Sequence, residues 1–160
     1  MDYPDVELIP APSVPDAASA AGLSIVNERH ARAAHVLIVD DDVDLVDSVT
    51  DLLKVEGYAV HSAHTGEEGL RSLRSASLPD AILLDVDMPV LGGPGMAHKM
   101  LLHDAGEESI PIVLYSGRSD LRAIASKMGT PYSIGKPFTL DALLSLLGRA
   151  ISERVAPASA

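Results

Sequence analysis

The chain has 160 residues, the size of one domain, with 47% apolar and 22% charged residues and no apolar run near the roughly 18 residues that a bilayer span needs. Twelve Lys+Arg against 23 Asp+Glu leave a net charge of −11, which repels phosphate backbones and anionic lipid heads and argues against nucleic-acid binding by this chain alone. The lack of cysteine removes disulfides, thiolate metal sites and cysteine nucleophiles, and the acidic, proline-interrupted start is unlike a secretory signal, so a cytoplasmic location is expected.

Residues 1–34 carry Pro4, Pro10, Pro12 and Pro15 among alanine, serine and acidic residues without sustained apolar periodicity, and read as a flexible N-terminal extension. A short helix over 23–32 is the one element considered there. From His35 short apolar runs alternate with helical patterns in five β-α units, the signature of a parallel sheet, giving one domain over 35–153 and a tail over 154–160. The continuous run at 36–39 predicts a strand covered on both faces, followed by a helix over 43–56 that carries Val46, Val49 and Leu53 on one stripe and ends at Gly57. A weaker strand spans 58–63. Thr65 with Glu68 forms a capping box for a helix burying Leu70 and Leu73. The run at 81–84 leads straight into Asp85, and Met88-Pro89 with Gly92-Gly93 then forces a loop. A helix over about 95–103, a strand over 110–115, a short helix over 119–128 and a strand over 131–135 follow. The last helix, capped by Thr139, aligns Leu140, Leu143, Leu144, Leu147 and Ile151 on one face.

In an open parallel sheet, ligands bind beyond the carboxyl ends of the strands. Those ends carry Asp40-Asp41-Asp42, Asp85-Val86-Asp87, Ser116-Gly117 and Lys136-Pro137. Asp40, Asp41 and Asp85 would form a carboxylate cluster whose mutual repulsion calls for a cation. All-oxygen ligands, together with a site to be shared with a phosphate, favour Mg2+ (or Mn2+) over zinc. A carboxylate can attack phosphorus if the charge on the phosphoryl oxygens is held by a metal and a fixed cation. Asp85 is then the expected nucleophile, Lys136 the cation, Ser116 a hydrogen-bond donor to a phosphoryl oxygen, and Gly117 leaves room for the incoming group.

Taken together, Val-Asp-Asp after the first strand, Asp before Met-Pro after the third, Ser ending the fourth and Lys-Pro-Phe after the fifth closely resemble the receiver domains of bacterial response regulators, over about residues 34–152. The resemblance implies a flavodoxin-like α/β fold, (βα)5 in three layers, with parallel sheet order 2-1-3-4-5 and the weak second strand at an edge. It further implies that Asp40 and Asp41 hold the metal with the backbone carbonyl of Asp87, that Asp85 accepts a phosphoryl group, that Ser116 senses it and that Lys136 pairs with it. A cis peptide at Lys136-Pro137 belongs to the same pattern. The implied partners are a sensor histidine kinase or histidine phosphotransfer protein and an unknown downstream protein, with a phosphorylation-dependent homodimer suggested by analogy. The protein would be a switch, not an enzyme beyond its own phosphotransfer and autodephosphorylation.

The sequence departs from that pattern in three places. Gly92-Gly93 stands where an aspartate-glycine pair is usual and is expected to loosen the loop. Ser133 takes the place of an aromatic switch residue, with Tyr132 one position earlier. The stretch from Ser116 to Lys136 is about half a helical turn short. Positions two beyond Asp85 and Ser116 are Asp87 and Arg118, which predicts an ion pair over the pocket.

Other readings weigh less. The acidic run at 40–44 suits a solvated helix start, but as a calcium loop it has Leu45 where glycine is needed. Asp85-Val86-Asp87 is also similar to the motif of haloacid-dehalogenase phosphatases, which however place it on the first strand. Lys136 and Ser116 taken singly suit a surface lysine and a turn serine. A degenerate receiver serving only as a binding module would have lost key residues, and none is lost. The histidines form no metal-like cluster in the sequence.

Overall fold

The protein is described from a computed structural model covering residues 32–75, 77–103 and 106–158; the extension at 1–31 and the helix considered at 23–32, apart from Arg32, lie outside the described residues. Five strands alternate with five helices: β1 (His35–Val39), α1 (Val43–Val55), β2 (Ala59–Ala63), α2 (Gly66–Ser75), β3 (Ala81–Asp85), α3 (Gly93–Leu102), β4 (Ile112–Ser116), α4 (Leu121–Lys127), β5 (Tyr132–Gly135) and α5 (Leu140–Glu153), with a 3-10 turn at Glu107–Ser109. All pairings are parallel and the order is β2-β1-β3-β4-β5, as the apolar runs and the resemblance implied.

The strands sort themselves by covering. Residues of β3 and β4 are buried throughout, because helices lie on both faces and their apolar side chains join the two core layers. β2 at the edge has exposed His61 and Ser62, polar groups that discourage further strand pairing. Strand alternation divides the core into two layers. Val36, Ile38, Leu83 and Val113 pack with α1 and α5, while Leu37, Val39, Ile82 and Leu114 pack with α2, α3 and α4.

Local signals set the helix ends. Asp42 caps α1 by accepting the Leu45 amide at 3.1 Å, and Gly57 closes it at φ +89. At α2 the Thr65 hydroxyl accepts the Glu68 amide at 3.0 Å, but the Glu68 carboxylate reaches back to the amide of His64 instead of Thr65. Thr139 caps α5 through Ala142.

Three element starts differ from the sequence expectations by two residues, the other ends by no more than one. β4 begins at Ile112, because Ile110 closes the 3-10 turn. α4 begins at Leu121, because Arg118 and Asp120 are paired with each other and Arg118 with Asp87 at the sheet edge. α3 begins at Gly93, with Pro94 in its first turn, where a fixed φ suits a helix start. The Gly92-Gly93 pair does not loosen this connection. A Cβ on Gly93 would lie 2.5 Å from the carbonyl oxygen of Asp85, and one on Gly92 2.9 Å from that of Val86, so the glycines let α3 close against the end of β3. Gly93→Ala is expected to destabilise the fold by about 1–3 kcal/mol in urea unfolding, since β3 must shift to admit the methyl group.

Candidate functional site

Alternation along the strands aims the chemistry. Asp40 follows Val36 and Ile38, Asp85 follows Leu83, and Lys136 follows Tyr132 and Ile134, so all three rise from the layer shared with α1 and α5. Asp40 and Asp85 are buried, at 1% and 4% exposure. Lys136 Nζ bridges them, 2.8 Å from Asp40 Oδ2 and 3.1 Å from Asp85 Oδ1. The other Asp40 oxygen accepts the Asp42 amide at 2.9 Å. Asp41 is exposed, yet one carboxylate oxygen from each of Asp40, Asp41 and Asp85 falls within 4.8 Å of the others.

Burial pushes the Asp85 carboxyl up to about 6 from an ordinary 3.8; the Asp40 and Asp87 charges add to this and Lys136 works against it. For Lys136 burial opposes the charged form, but Asp40 and Asp85 outweigh it and hold the ammonium above its ordinary range. One lysine therefore does not fully compensate the buried acids.

Ser116 and Arg118 occupy the rim. The Ser116 hydroxyl donates to Asp87 Oδ2 at 3.3 Å and accepts the Arg118 amide at 3.2 Å. Arg118 reaches Asp87 Oδ1 at 3.2 Å, the ion pair expected from the sequence. The guanidinium also forks onto Asp120, Nε to Oδ1 at 2.8 Å and Nη2 to Oδ2 at 2.9 Å. Asp120 was not anticipated, although its place two residues after Arg118 was a visible signal. The Lys136-Pro137 peptide is cis. Tyr132 lies in the core and donates its hydroxyl to Glu153 on α5 at 2.9 Å, and Ser133 is half-buried in the place of the usual aromatic.

The loop after Asp85 has its own constraint. Val90 has φ +68 and is 97% exposed, while the Leu91 amide bonds back to the Pro89 carbonyl at 2.8 Å, a strained three-residue turn beside the site.

Residues 36–148 match the family model described as the response regulator receiver domain. The chain belongs to the response-regulator receiver family. This receiver is 34% identical over 126 residues to the transcriptional regulatory protein PrrA of Mycobacterium leprae, an alignment covering 78% of this chain and 52% of that one. With the response regulator MprA of Mycobacterium tuberculosis it shares 34% over 130 residues, covering 80% and 54%. It thus spans about half the length of the curated relatives it matches. Among solved structures, the Vibrio cholerae chemotaxis protein CheY4 superposes with a TM-score of 0.67 at 28% identity, over 74% of this chain and 98% of that one. A CheY-like receiver domain protein from Methanospirillum hungatei gives 0.67 at 26%, over 77% and 97%.

Receiver domains bind Mg2+ at an aspartate cluster, and the donors in this receiver suit that ion: three carboxylate oxygens within 4.8 Å of one another, no nitrogen or sulfur among them, and a buried Asp85 driven toward its neutral form in the absence of further positive charge. Among the described residues this is the one acidic or histidine cluster with metal-like spacing, and no helix among them is long and apolar enough to cross a membrane.

Proposed function

We propose that this receiver accepts a phosphoryl group on Asp85 from a phosphohistidine of a sensor histidine kinase or histidine phosphotransfer protein, and passes the signal on through protein contacts. The observation that carries the reading is the Lys136 ammonium shared by two buried carboxylates at a sheet edge. A carboxylate oxygen of Asp85 attacks phosphorus, the phosphorus–nitrogen bond to the donor imidazole breaks, and the imidazole leaves as its own base. Mg2+ (or Mn2+), held by Asp40, Asp41, Asp85 and the Asp87 carbonyl, would neutralise charge on the phosphoryl oxygens. Lys136 moves from carboxylates to a phosphoryl oxygen, and the Ser116 hydroxyl exchanges Asp87 for another. Repositioning of these two groups biases the packed state of β4–α4 and β5, hence affinity for a target.

The net charge of −11 supports a protein rather than a nucleic-acid target for this chain, and a phosphorylation-dependent homodimer through the last helices is tested by size exclusion with and without a beryllofluoride mimic. The domain is taken as residues 35–153, with 1–34 an extension and 154–160 a tail.

The deciding experiment is incubation with Mg2+ and acetyl phosphate, followed by intact mass. Wild type should gain one phosphoryl group and Asp85→Asn none; no gain in wild type would leave the binding-module reading in the lead. Arg118, pinned by Asp87 and Asp120 across the mouth of the site, should shield the acyl phosphate from water. Arg118→Ala should therefore shorten the phosphoprotein lifetime several-fold, read by loss of the added mass with time, and an unchanged lifetime overturns this role.

A further inference from the structure

The floor of the site is a residue that the phosphotransfer reading leaves unused. Tyr115, one position before Ser116, is fully buried and pairs in register with Asp85. Strand alternation turns its side chain into the layer from which Asp40, Asp85 and Lys136 rise. Its ring lies under the Lys136 ammonium, 4.4 Å from Nζ to the ring centroid, and is held edge-to-face by Phe138 at 6.0 Å. Its hydroxyl is buried beside Asp40 in a contact whose geometry falls short of a hydrogen bond, and burial first, then that carboxylate, hold the phenol well above its ordinary range.

A buried phenol left with so poor a contact is unfavourable unless another state of the protein improves it. The partner is at hand. Asp40 Oδ2 is taken by Lys136 in this state, and it is released when Lys136 is drawn to a phosphoryl oxygen or displaced by a divalent cation.

We infer that Tyr115 is a positioning residue for the switch: its ring face seats the Lys136 ammonium as it leaves Asp40, and its hydroxyl then donates to the freed carboxylate. The ring works by cation–π attraction, which strengthens away from water. The hydroxyl works because a buried carboxylate that loses one donor gains by taking another. This rests on the proposed function for what draws Lys136 away, but the seat itself is present without phosphorylation.

The test uses the full chain with tyrosine labelled at 13Cζ, a carbon whose shift reports hydrogen bonding of the phenol, and Tyr115→Phe assigns the signal. On titration with Mg2+ alone, and again with beryllofluoride, the Tyr115 13Cζ signal should move while those of the other tyrosines stay. In the cation-free protein the Lys136 ε-methylene protons should carry an upfield ring-current shift in wild type and in Tyr115→Phe, and lose it in Tyr115→Leu. With acetyl phosphate, Asp85 should be modified roughly threefold more slowly in Tyr115→Phe and roughly tenfold more slowly in Tyr115→Leu, the span expected for one cation–π contact. Tyr115→Phe keeps the packing, so an unfolded Tyr115→Leu does not remove the test.

A 13Cζ signal unmoved by Mg2+ and by beryllofluoride, or Lys136 protons unshifted in wild type, overturns the inference. Failure of wild type to acquire a phosphoryl group overturns the proposed function instead, since the cation-free and Mg2+ measurements still decide the place of Tyr115.

Discussion

Replacing Lys136 by methionine should slow phosphoryl uptake by Asp85 from acetyl phosphate by at least about 100-fold, the usual cost of removing one preorganised group from a developing oxyanion. The side chain keeps nearly the same length and volume, so the core around Tyr115 and Phe138 stays filled and the loss reports on charge. Two effects act in the same direction. The cation that would meet the phosphoryl oxygens is gone, and Asp85, which Lys136 now holds down against burial and Asp40, becomes a weaker nucleophile because it stays protonated to higher pH. Arginine should not restore the rate, because its planar fork does not reproduce the single point charge that reaches both Asp40 Oδ2 and Asp85 Oδ1. The check is a time course of intact mass at saturating Mg2+. A rate within about tenfold of wild type would remove Lys136 from the chemistry.

In the presence of a chelator, Asp85→Asn should stabilise the fold, and the gain should depend on pH. Asp85 ionises near 3.8 in the unfolded chain and at about 6 in the folded one, so the folded state holds its proton longer. Below about pH 4 both states are protonated and the residue costs nothing. As pH rises toward 6 the unfolded state releases its proton first and wild-type stability falls, by up to about 3 kcal/mol in all, and above that pH the penalty is constant. Asparagine has no proton to lose. The difference between variant and wild type should therefore open between about pH 4 and about pH 6 and stay open to about pH 8, reduced by the one contact to Lys136 that the variant weakens. Lys136 contributes no slope in this window, since it stays charged in both states there and folding raises its proton affinity further. Urea unfolding at several pH values measures it, and parallel curves for the two proteins would mean that Asp85 carries no such strain. Added Mg2+ should stabilise wild type more than the variant, because the ion binds the folded state and needs the second negative charge.

Much of this molecule is written locally. Apolar runs of four residues before Asp40 and Asp85 are too short for helices and suit strands covered on both faces, and the Leu143–Leu147 stripe suits a helix laid on a sheet, because period and burial are tied by backbone geometry. Once five such units alternate, the sheet must be parallel, and its carboxyl edge must gather Asp40, Asp85, Ser116 and Lys136. Caps at Thr65 and Thr139 were legible because a hydroxyl bonds amides two or three residues away, whereas Asp42 read only as part of an acidic helix start.

What was not legible depends on distance across the fold. The sequence presents Tyr115 as one more residue of an apolar strand; that its ring lies beneath Lys136 and its hydroxyl only loosely faces Asp40 is a consequence of α5 and Phe138 closing over β4. Gly92-Gly93 reads as a flexible pair, yet α3 packs so near the end of β3 that only hydrogen fits at Gly93. The starts of α3 and α4 shift for the same reason, since propensity sets which residues can be helical while contacts at the sheet edge decide where the helix begins. The sequence by itself determined the elements, their order and the chemical groups at the edge, all governed by neighbours within a turn or a strand. Only tertiary packing decided how those groups share protons and partners, because the burial and charge that set Asp85 near 6 come from residues 45 to 51 positions away.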